Sequence, residues 1–133
     1  MGNRFLGIAL IVLDFFLAFT AIAGGVGLLF GLNAPPVEML AGSPFRDYTI
    51  PGLALMALVG GGALIAGILT LRRHPNAPLA SGAVGLMIIV FELVEVLAIG
   101  SPPGMSRNLQ VFYFALGLLI IVLAFFQWRE GAA

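Results

Sequence analysis

The sequence predicts an all-α integral membrane protein: a four-helix transmembrane bundle with both termini on the cytoplasmic side. Of its 133 residues 61% are hydrophobic and only 9% charged, with a mean hydropathy of +1.13, whereas a soluble domain is nearer a quarter charged. Four apolar stretches, 5–32, 50–71, 79–99 and 109–128, each approach or exceed the roughly 20 helical residues needed to cross ~30 Å of hydrocarbon. They are apolar on both parities, which excludes the alternating strands of a closed β-barrel. The separators Asn33-Ala34-Pro35-Pro36, His74-Pro75-Asn76-Ala77-Pro78 and Gly100-Ser101-Pro102-Pro103-Gly104 carry prolines that punctuate helices. Residues 1–133 therefore read as one membrane domain, with outer loops 33–49 and 100–108 and a cytoplasmic connection 72–78.

The first span opens on Met1-Gly2-Asn3-Arg4 and contains Ala21-Ile22-Ala23, which has the look of a cleavage site. Asp14 interrupts the apolar region and the run continues to Leu32, so a retained span is expected. Gly27 and Gly31 have the spacing that lets helices approach closely, within the bundle or between copies. The loop 33–49 is long for a connection, and Pro36 to Ala41 suits one short interfacial turn. The second span carries Gly60-Gly61-Gly62 in mid-membrane, a packing or flexing point. The third carries Glu92 and Glu95, and the fourth ends at Trp128 beside Arg129, an interfacial anchor.

Helical spacing gathers small and polar residues on one side of each span. These faces are Gly7, Asp14, Ala18, Ala21 and Gly25; Ala57, Gly60, Ala63, Gly67 and Thr70; Ser81, Gly85, Ile88, Glu92 and Glu95; and Gln110, Tyr113, Gly117, Ala124 and Gln127. Such faces pack against protein rather than lipid. Orientation follows the arginines: Arg4, Arg72, Arg73 and Arg129 on one side outnumber Arg46 and Arg107 on the other, which favours N-in and C-in.

Six basic and six acidic residues balance, so no field for nucleic acid exists. The absence of cysteine excludes disulfides, thiol redox chemistry and thiolate metal sites. No metalloprotease, phosphate-loop or nucleophile motif occurs, so enzymatic activity has no support, and no cofactor or metal is predicted.

Chemistry is carried by the intramembrane carboxyls Asp14, Glu92 and Glu95, because each costs at least ~2.5 kcal/mol at a helix centre on insertion scales. Glu92 and Glu95 share a face, and two carboxylates this close should share a proton or pair with a cation. Arg107 in the following loop is the first candidate and Arg46 the second; Tyr48, Gln110 and Tyr113 are further outer-face partners. One reading makes this cluster glue between loops and bundle, the other a proton or cation site. Asp14 divides the same way: a hydrogen bond to a neighbouring helix, or a step on a proton route.

The stretch from Gly42 to Gly52, with Phe91-Glu92-Leu93-Val94-Glu95-Val96-Leu97 before Gly100-Ser101-Pro102, resembles small four-span bacterial membrane proteins of unassigned function. Their common feature is Ser-Pro-Phe, then an aromatic residue and Ile-Pro-Gly, leading into the second span. The resemblance implies the fold and the bacterial cytoplasmic membrane, and no activity. More loosely, Asp14 is similar to the first-span acid of small multidrug-resistance transporters, from which the chain departs in Glu92, Glu95 and its long first outer loop. The expected function is structural or accessory, with the bilayer and a homo-oligomer or larger membrane complex as partners. The alternative is a small proton-coupled transporter or channel using the intramembrane carboxyls.

Overall fold

The computed structural model describes residues 2–32 and 34–132. Met1 and Asn33, which open the first span and the first separator in the sequence reading, lie outside the described residues. Among the described residues the chain is all-helical, and four helices are long and apolar enough to cross a membrane.

Helix α1 (Gly2–Phe30) stops two residues before the apolar run does. Gly31 turns left-handed (φ +72°) and the Leu32 N–H bonds the Gly27 carbonyl at 2.8 Å, closing the helix end on itself. Gly27 and Gly31 are thus a helix stop. A Cβ on Gly31 would meet nothing within 4 Å, so this pair is not a packing motif within the bundle. The loop between the first two spans holds one short 3-10 turn, Val37–Leu40, whose Leu40 is buried.

Helix α2 (Thr49–Leu71) begins α-helical with Pro51 in its first turn, where a missing N–H costs nothing. It then widens into a π-helical stretch over Ala54–Gly60 and returns to α-helix at Gly61–Leu71. The widened turns slow the rotation per residue, so the spacing rule fails there. Ala57, which the sequence placed on the inner face, is exposed, while Gly60, Ala63, Gly67 and Thr70 are buried. The helix ends with Arg73 at φ 55°: its N–H bonds the Thr70 carbonyl at 3.1 Å and the His74 N–H bonds that of Leu69 at 2.9 Å.

Helix α3 (Ala77–Ile99) starts earlier than the sequence suggested because Pro78 sits in its first turn rather than breaking it. The connection shrinks from 72–78 to 72–76. Helix α4 (Met105–Ala132) likewise begins before residue 109, shortening the last loop from 100–108 to 100–104 and placing Arg107 in the helix.

The helices pack as a closed ring in chain order, α1 against α2, α2 against α3, α3 against α4 and α4 against α1. Small residues set the closest approaches. A Cβ on Gly25 would fall 2.6 Å from the Gly52 carbonyl oxygen, and one on Gly117 would fall 2.8 Å from that of Gly85. The interior is a layer of Leu10, Leu17, Val84, Ile88, Leu116 and Ile120. Phe5, Phe19, Leu58, Leu86, Leu97 and Val111 point outward. That surface would be penalised in water and is indifferent in lipid.

Candidate functional site

Among the described residues the buried carboxyls fall into two sites within the bundle, both involving α3. The first is central. Asp14 and Ser81 are both 0% exposed, and the Ser81 hydroxyl donates to Asp14 Oδ2 at 2.7 Å. Because α1 and α3 sit opposite one another in the ring, this bond crosses the bundle's diagonal, between helices that do not otherwise pack closely. Asp14 Oδ1 is enclosed without a hydrogen-bond partner among the described residues. The hydrogen bond between Asp14 and another helix, one of the two readings of the sequence, is present, and Ser81, on the inner face by spacing, supplies it.

The second site lies near the outer-loop end. Glu92 is 6% exposed, and its Oε2 has no hydrogen-bond partner among the described residues. One turn on, Glu95 Oε2 accepts from Gln110 Nε2 of α4 at 3.0 Å, and the same nitrogen donates to the Gly100 carbonyl at 3.0 Å, tying off the end of α3. Gln110 Oε1 is buried and unpartnered among the described residues. Tyr48, just before α2, is buried, and its hydroxyl donates to the Pro36 carbonyl at a long 3.4 Å, folding the outer loop over the bundle. Burial, then the nearby Glu95 and Glu38 carboxyls, push its phenol above the usual tyrosine range. Tyr113 is half-buried against the core, its ring edge-on to Phe112 at 5.1 Å.

The arginines do not join this cluster. Arg107, expected to neutralise the glutamates, is exposed and donates instead to the Ser101 carbonyl at 2.8 Å and, from Nε, to the Ser101 hydroxyl at 3.3 Å. The reason is its address: in the first turn of α4 it faces the preceding loop's carbonyls, and Gln110, one turn deeper, reaches Glu95 in its place. Arg46 is also exposed. Its neighbour Asp47 accepts the Thr49 N–H at 3.0 Å, and the Thr49 hydrogen bonds hold its carboxyl below the usual range.

A laterally open cavity of about 870 Å³ lies beside the glutamates, bordered by Glu92, Glu95, Tyr48, Tyr113 and mainly aliphatic side chains. At the opposite end a second cavity, of about 820 Å³, is bordered by Arg4, Thr70, Arg73, His74, Gln127 and Glu130. Asp14 borders neither. Among the described residues no three His, Cys, Asp or Glu side chains converge as metal ligands. Chemically, the central site holds two helices together. The second site holds two unpartnered acceptors, on Glu92 and Gln110, and its Glu92 and Glu95 border open space.

Comparison with family models, with curated proteins and with solved structures finds no match to the chain.

Proposed function

We propose that this chain is a structural or accessory component of a bacterial cytoplasmic membrane, acting as a homo-oligomer or a subunit of a larger complex. Arg4, Arg72, Arg73 and Arg129 face the cytoplasm in this reading. The observation that carries it is the separation of the carboxyls. Asp14 is engaged by Ser81, and Val84, Ile88 and the rest of the apolar layer lie between that pair and Glu92. Along α3, Ser81 and Glu92 are offset by about 16 Å at 1.5 Å per residue, whereas a proton transfer needs groups about 3 Å apart or bridged by water.

The decisive experiment is an imposed pH gradient across proteoliposomes holding the intact chain. No proton flux above empty liposomes is expected, and mass spectrometry of the protein purified from native membranes should identify stoichiometric partner subunits or further copies. Flux that Glu92→Gln or Asp14→Asn abolishes would overturn this reading in favour of a small proton-coupled transporter or channel. That second reading draws on the enclosed, unpartnered Asp14 Oδ1. Orientation is tested by Ser43→Cys and Ser101→Cys, which should react with an impermeant thiol reagent from outside the cell; reaction only from the cytoplasmic face would reverse it.

A further inference from the structure

We propose that the groove beside Glu92 is a binding site for a lipophilic amine, its ammonium on the Glu92 carboxyl and its apolar tail along the lateral opening toward lipid. Glu92 is more than nine-tenths buried, borders the cavity, and has an oxygen with no donor among the described residues. A buried acceptor left without a donor costs about 1–3 kcal/mol, so an occupant that brings N–H donors is favoured there. Two of the donors nearest the carboxyls are already engaged. Gln110 Nε2 serves Glu95 and Gly100, and the Arg107 guanidinium is held at Ser101. Two carboxyls one turn apart, Glu92 and Glu95, border one cavity, and among the described residues no arginine is bonded to either.

Charge complementarity selects a cation over an anionic amphiphile, and a protonated amine at the cavity-bordering Glu92 carboxyl makes a charge-assisted hydrogen bond that an alcohol matches only in part. Tyr48 and Tyr113 border the same cavity, and aromatic rings attract cations. At about 870 Å³ the space falls within the range of small-molecule sites. Leu55, Leu58, Leu86 and Phe91 provide an apolar wall for the tail, which enters sideways from the bilayer.

The test uses the full chain in lipid nanodiscs, with empty nanodiscs as the partition control, titrated at neutral pH with dodecylamine, dodecanol and dodecanoate. Saturable dodecylamine binding is expected, at least about ten-fold tighter than either other probe, and weakened at least about ten-fold by Glu92→Gln. Ala98→Trp, one turn beyond Glu95 on the cavity wall, leaves both carboxyls in place and should block binding by filling the space. It decides the matter if Glu92→Gln fails to fold. Three results would each overturn the proposal: no saturable binding, equal affinity for alcohol and amine, or dodecylamine affinity unchanged in a folded Glu92→Gln or Ala98→Trp protein.

Discussion

In the half of the bundle nearer Arg4 and Arg73, a carboxyl is enclosed by aliphatic side chains and bonded to one hydroxyl across the diagonal; in the half nearer the outer loops, two carboxyls share a wall with open space. The same residue chemistry thus has two outcomes. Asp14 lies inside a closed ring, where the Ser81 hydroxyl of the facing helix meets it. Glu92 lies farther along α3, on the border of a laterally open groove. What distinguishes a packing carboxyl from a binding carboxyl here is the volume beside it.

The two halves are joined through α3 and its crossing with α4, so the largest effect is expected at that crossing. Gly117→Leu would drive a side chain into the Gly85 carbonyl and into Ile88 and Ile89; overpacking of this kind costs about 1–3 kcal/mol. It should lower the melting temperature more than any polar substitution and disturb both polar sites together. Survival of either site in that variant would show that the halves are independent.

Double-mutant cycles sharpen the contrast. Asp14→Ala with Ser81→Ala should show a coupling of about 1 kcal/mol, in the upper part of the range for polar contacts between membrane helices. Glu95→Ala with Gln110→Ala should give about 0.5 kcal/mol, because Gln110 keeps the Gly100 carbonyl as a second acceptor. The reverse order, read from unfolding in mixed micelles, would make the outer cluster the principal lock. Smaller still, Arg107→Ala should change stability by less than about 0.5 kcal/mol, as for other exposed contacts. A loss of several times that would mean that Arg107 neutralises the glutamates after all.

The smallest effect is at the rim. The folded-state pKa of Asp47 is lowered by the Thr49 hydrogen bonds, so its contribution to ordering the start of α2 is full above the ordinary carboxylate value and lost as pH falls through the depressed one. The Thr49 amide resonance should follow that titration at acidic pH and lose it in Asp47→Asn. A pH-independent Thr49 amide in the unaltered chain would show that the Asp47 hydrogen bond does not order the start of α2.

Much of the fold was legible because hydropathy and small-residue spacing are local sums. Four runs of apolar residues can only be helices in lipid; Gly60, Gly85 and Gly117 mark where backbones approach, and Gly67 makes room for the Phe15 ring. Helix ends were less legible, since Pro51 and Pro78 are equally at home in a first turn and in a loop. The π-helical stretch at Ala54–Gly60 left no mark in the periodicity; it showed only as Ala57 turned outward.

By itself, the sequence determined that three carboxyls enter the membrane on helices whose polar faces turn inward, because lipid permits no other satisfied backbone and no unshielded acid. Tertiary structure alone decided their partners. Asp14 found Ser81, 67 positions away, because ring order put α1 and α3 on a diagonal. Arg107 was withdrawn to Ser101 because α4 began early enough to carry it. A hydrogen bond spans only about 3 Å, so which groups meet depends on each helix's rotation and start, and these are set by packing among all four.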